Sequence, residues 1–121
     1  GAVPVKHELD VGWAAGRLDP ADPARSWADR LIRNYGTIDL LSARIAHVRR
    51  LIADYRADGL VIFSHWGCRV LGGQNLAIKE TIYRELGLPT LILDGDLADD
   101  RHRASRQQDQ DKIEQFVEML D

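Results

Sequence analysis

One cysteine, Cys68, occurs in the 121 residues, inside the cluster Ser64-His65-Trp66-Gly67-Cys68-Arg69. The apolar run Leu60-Val61-Ile62-Phe63 precedes it, and the glycine turn Gly72-Gly73-Gln74 and an amphipathic stretch follow. Apolar strand, polar residues, glycines, then helix is how a parallel sheet presents chemistry, because free helix N–H groups converge where the strand ends. A cysteine there, with His65 and Arg69 in reach, has its thiolate favoured by the helix dipole and by nearby positive charge. Two readings stand side by side: a metal ligand or nucleophile, or a small buried hydrophobe.

The other candidates are weaker. One thiolate and histidines at positions 7, 47, 65 and 102 show no spacing that closes a zinc site or a cluster within the chain, so metal on Cys68 needs ligands from elsewhere. Gly72, Gly73 and Gln74 could bring backbone N–H groups to an anion, but match neither a Walker loop nor a dinucleotide fingerprint, and a plain tight turn also explains them. Asp94, Asp96, Asp99 and Asp100 could hold a hard cation or serve as general acid and base, but they lack EF-hand spacing, and acids after a strand more often satisfy loop backbone and cap the next helix; Arg101, His102 and Arg103 likewise read as a solvated loop rather than an acid-binding site. Trp66 is either core or a lid over whatever Cys68 touches.

These residues need elements to hold them. Gly1 to His7, with Pro4 at its centre, suits an edge strand, and a chain opening inside a strand suggests a fragment. Glu8 to Arg25 reads as a loop packed down by Trp13 between Gly12 and Gly16. Ser26 caps a short helix carrying Trp27, Leu31 and Ile32 that stops near Tyr35-Gly36. A second helix runs from about Asp39 to Ala57 with Leu41, Ile45, Val48, Ile52 and Tyr55 in one stripe and its arginines mostly outside it.

After the glycine turn, a helix starting at Gln74 or Asn75 bears Leu76, Ile78, Ile82, Tyr83 and Leu86 and ends at Gly87. Thr90 to Leu93 is a second buried strand, Asp94-Gly95-Asp96 closes it, and Leu97 to Ala104 is a polar loop. Ser105 with Gln108 forms a capping box for a last helix with Ile113, Phe116, Val117 and Leu120 buried. This order predicts a single α/β domain over residues 1–121: a three-layer open parallel sheet of Rossmann or flavodoxin type, with about three strands and flanking helices. It reads as part of a larger subunit.

Composition bounds the function. The chain is 45% hydrophobic and 29% charged with a formal net charge of −3, ordinary for a globular domain and without the basic surplus a nucleic-acid binder needs. With no basic surplus, nucleic acid is not an expected partner, and a lone cysteine and the absence of a long apolar span predict a cytoplasmic protein that does not bind membrane.

The segments Asp58 to Arg69, Glu85 to Asp96 and Lys112 to Leu120 together resemble the carboxyl-terminal domain of the 2-hydroxyacyl-CoA dehydratase and benzoyl-CoA reductase family, which includes the 2-hydroxyglutaryl-CoA dehydratase component subunits. The resemblance covers the whole chain, most strongly from Arg49 onward. It implies a subunit of an oxygen-sensitive, anaerobic two-subunit enzyme holding a [4Fe–4S] cluster on cysteines from different domains, and Cys68 matches the last of those ligands. An ATP-dependent activator passes single electrons to such enzymes. The dehydratases, which are lyases, reduce an acyl-CoA thioester to a ketyl radical that expels hydroxyl; the reductases, which are oxidoreductases, reduce an aromatic thioester ring. The implied partners are the remaining domains of its own subunit, a homologous second subunit, the activator and the acyl-CoA substrate.

Family members are several times longer, so this chain alone is expected to be inactive. His65, Trp66, Gly72, Gly73 and Gln74 lie near the implied cluster or substrate, with no individual catalytic role assigned. Two other classes compete: a structural or binding α/β module with no chemistry of its own, and a thiol enzyme using Cys68 with His65 as base.

Overall fold

The computed structural model describes residues 2–6, 18–96 and 103–120, with backbone alone for 33–39 and 103–105. Among them are four helices and two strands in the order α1 (Pro23–Asp39), α2 (Leu41–Tyr55), β1 (Leu60–His65), α3 (Arg69–Leu86), β2 (Thr90–Gly95) and α4 (Arg103–Glu118). They form two compact units, residues 4–56, and residues 57–121 together with 1–3.

In the first unit α1 and α2 pack on each other. The Asp22 carboxylate accepts the Arg25 N–H at 3.1 Å and Pro23 opens the helix, so Asp22, not Ser26, is the cap; proline suits the first turn because its missing N–H has no partner there. Ser26 Oγ instead accepts the Asp19 N–H and donates to the Pro23 carbonyl. The helix also runs through Gly36 to Asp39. Arg56 ends α2 in the left-handed region at φ 50°, before the expected Ala57. Val48 is buried as expected, but Arg44, expected outside the apolar stripe, is buried beside it, and Leu41 and Tyr55 are exposed.

The second unit carries the α/β character. β1 and β2 pair in parallel from Leu60 opposite Thr90 to His65 opposite Gly95, and a parallel pair needs a crossover such as α3, which packs on both strands. The core is Ile62, Leu93, Ile78, Ile82 and Phe116, with both α3 isoleucines essentially inaccessible.

Two expectations about the sheet change. Among the described residues it has two strands rather than three: residues 2–6 join neither strand and are mostly exposed, and Pro4 has no N–H to give a ladder. β1 is not buried throughout, since Val61 and Phe63 share one face and are about half exposed while Ile62 on the other is buried. On α3 the inward stripe is Asn75, Ile78 and Ile82, and the expected Leu76, Tyr83 and Leu86 face outward.

Gly87 ends α3 as expected, at φ 67°, with its N–H on the Tyr83 carbonyl. On α4 Phe116 is buried, Val117 and Leu120 half-buried and Ile113 exposed. No helix among the described residues is long and apolar enough to cross a membrane. The expected packing of Gly12, Trp13 and Gly16, together with His7, Asp99, Asp100, Arg101, His102 and the expected loop before Arg103, lies outside the described residues. α4 already begins at Arg103, so Arg103 and Ala104 are helical rather than loop and Ser105 stands inside the first turn instead of capping it.

Candidate functional site

Cys68 is the N-cap of α3, three residues past the end of β1. The helix therefore begins at Arg69, and the Gly72 N–H bonds the Cys68 carbonyl at 3.0 Å. Gly72, Gly73 and Gln74 are thus not a turn before the helix but part of its opening turns. Glycine lowers helix propensity by about 1 kcal/mol relative to alanine, and a helix of 18 residues with a packed isoleucine stripe overrides that cost. Open space surrounds the pair: a Cβ built on either glycine meets nothing within 4 Å.

The link from β1 to α3 is drawn tight by backbone bonds. The Trp66 N–H reaches the Gly95 carbonyl at 3.1 Å, tying the turn to the end of β2, and the Cys68 N–H reaches the His65 carbonyl at 2.9 Å. The Gly67 N–H donates to His65 Nδ1 at 3.0 Å. A side chain at Gly67 would put Cβ 3.2 Å from His65 Cε1, so glycine there lets the ring fold over its own turn. On its other side His65 Nε2 lies 3.3 Å from Asp96 Oδ1.

These contacts fix the ring's tautomer. A nitrogen that accepts the Gly67 N–H carries no proton, so the proton of the neutral ring sits on Nε2 and donates to Asp96. Both ring nitrogens are thereby engaged, and no hydrogen bond joins His65 to the Cys68 thiol among the described residues. That geometry does not prepare His65 as a base for Cys68.

The thiol itself is free, half-buried and makes no capping bond to α3, unlike a cysteine sealed in the core. Trp66 is 60% exposed, which removes the reading of it as core. Gln74 is half-buried and Asn75 buried.

The structure thus places His65, Trp66 and Cys68 along one connection at the carboxyl end of the sheet, with Gly72 and Gly73 in the opening turns of the helix that follows. Among the acids it adds Asp96, which the sequence placed more readily in the loop than at a site. Its pairing with His65 follows from the register, since His65 and Gly95 end their strands opposite each other and Asp96 is the next residue. Among the described residues no three His, Cys, Asp or Glu side chains gather to hold a metal.

Residues 1–120 match the family model described as 2-hydroxyglutaryl-CoA dehydratase, D-component. The chain is also similar to a benzoyl-CoA reductase component from Thauera aromatica, 30% identical over 105 residues, which is 87% of this chain and 24% of that protein. The chain therefore spans a minor part of that relative's length. No solved structure matches it.

Proposed function

The chain belongs to the 2-hydroxyglutaryl-CoA dehydratase D-component family, and from that premise we propose that it is the carboxyl-terminal α/β domain of a longer subunit of a 2-hydroxyacyl-CoA dehydratase or benzoyl-CoA reductase type enzyme. Cys68 supplies one thiolate ligand to a [4Fe–4S] cluster, and cysteines of the subunit's other domains supply the rest. The observation that carries this reading is the free, partly exposed Cys68 thiol at the N-terminus of α3, uncommitted to the fold around it.

The residues present fit one corner of a cluster and no more. A cysteine thiolate is the ordinary ligand of such a centre, and the α3 dipole favours a negatively charged group at that end of the helix. When bound, the cluster supplies single electrons at low potential. The contribution of this chain is to hold one ligand on a stiff strand-to-helix connection, with Trp66 exposed beside it and the Gly72-Gly73 surface open to close approach.

The substrate is an acyl-CoA thioester. The partners are a homologous second subunit and an ATP-dependent activator, working in an anaerobic cytoplasm, a compartment that suits a lone free cysteine. The thiol-enzyme reading has less support, because the nitrogens of His65 are turned to Gly67 and Asp96.

The test is iron and acid-labile sulfide content, measured anaerobically on the natural-length polypeptide that contains this segment, beside Cys68→Ser. The native protein should hold about four iron and four sulfide, and the variant should lose most of both. A variant that keeps its full content with an unchanged spectrum would overturn the assignment and leave the domain a structural module.

A further inference from the structure

His65 hydrogen-bonds both Gly67 and Cys68 in the connection that carries the thiol. Its carbonyl accepts the Cys68 N–H at 2.9 Å, its Nδ1 accepts the Gly67 N–H at 3.0 Å, and its Nε2 reaches Asp96 Oδ1 at 3.3 Å, one residue beyond β2. The ring therefore pins the turn to itself and, through Asp96, to the neighbouring strand. The Trp66 N–H on the Gly95 carbonyl makes a second tie between the same two strand ends.

We propose that His65 is a positioning residue for Cys68: held between the Gly67 N–H and the Asp96 carboxylate, it fixes the Trp66-Gly67 turn and so the direction in which the thiol leaves α3. The inference deepens the reading of Cys68 as a cluster ligand and rests on it. It gives His65 a role different from acting as a base for Cys68, because a base needs a ring nitrogen that this geometry uses elsewhere.

The physical argument is one of preorganisation. A ligand shared between domains must already point at the common centre when the domains meet, and a connection free to sample other turns would dilute that orientation. Gly67 makes the problem acute, since glycine has more backbone freedom than any other residue. An acceptor two residues upstream, itself anchored to β2, removes much of that freedom at the cost of one ring.

The decisive experiment reads the thiol without iron. The intact polypeptide containing this segment is prepared anaerobically and iron-free, and alkylation of Cys68 by iodoacetamide is followed by peptide mass spectrometry in the native protein, His65→Ala and His65→Asn. Asparagine places an oxygen where histidine has Nδ1, so it can still accept from residue 67 in an Asx-type bond, yet it is too short to reach Asp96. His65→Ala, which loses both ring bonds, should react about fivefold faster than native, and His65→Asn, which keeps the Gly67 bond but not the Asp96 one, should fall between the two.

A native rate in His65→Ala would overturn the proposal, an asparagine variant as fast as the alanine one would refute the Gly67 arm of the clamp, and an asparagine variant at the native rate would refute its Asp96 arm. Should the alanine variant not fold, the native and asparagine rates are read beside ¹⁵N NMR of the ring. The Nε2–H tautomer is expected there, and an Nδ1–H ring refutes the clamp. Because all of this is measured without a cluster, it fails or stands separately from the iron content of Cys68→Ser, which alone decides whether Cys68 is a ligand.

Discussion

Gly59 illustrates how far single residues control this fold. It precedes β1, and a Cβ built on it would lie 2.8 Å from Phe116 Cζ and 3.0 Å from Leu120 Cδ2. Its φ is not in the left-handed region, so the requirement for glycine is purely steric: α4 comes down on the bare backbone. Phe116 is buried and has little room to move, so Gly59→Ala should destabilise the chain by about 1–3 kcal/mol through overpacking, read as a lower urea midpoint. A native midpoint would mean the ring has space after all. In the sequence the dipeptide Asp58-Gly59 is ordinary turn chemistry. The signal was ambiguous because glycine serves turns and close approaches alike, and only the distant Phe116 distinguishes them. Cys68 was legible as the centre of interest from its company, whereas the His65–Asp96 link was not, because it joins residues 31 apart in the chain.

Among the elements α3 departs furthest from its local signals. Two adjacent glycines argued for a turn, and they stand instead inside the helix with free space where side chains would be. Gly72→Ala and Gly73→Ala should each therefore stabilise the chain by about 0.5–1 kcal/mol. Gly87→Ala, at a positive φ at the other end of the same helix, should destabilise it by about 1–2 kcal/mol. Urea unfolding followed by circular dichroism checks both signs. If the first pair proves destabilising, α3 does not begin at Arg69. The inward stripe of α3 was only half legible for a related reason. Ile78 and Ile82 follow from the period, but Asn75 turns inward and Leu76 outward, since the helix angle is set by how it lies across two strands rather than by its own pattern.

At the scale of the molecule, the chain offers one thiolate, and its described residues gather no metal-binding group of three. The 121-residue chain alone, reconstituted anaerobically with iron and sulfide, should therefore hold far less than one cluster per chain, whereas the natural-length polypeptide should hold a full one. A stoichiometric cluster on the short chain would overturn the idea of shared ligands. By itself the sequence determined the α/β class, the order from β1 to α4, the helix stop at Gly87 and the placing of Cys68 at a strand-to-helix connection. All of these follow from patterns a few residues long: apolar runs, helical periods, caps and glycines. The tertiary structure alone decided that the described sheet has two strands, that α3 takes in its glycines and starts at Arg69, that half of β1 faces outward, and that His65 is clamped between Gly67 and Asp96. Each of these depends on which distant surface or hydrogen-bond partner arrives, and no local pattern encodes a partner that folding alone brings near.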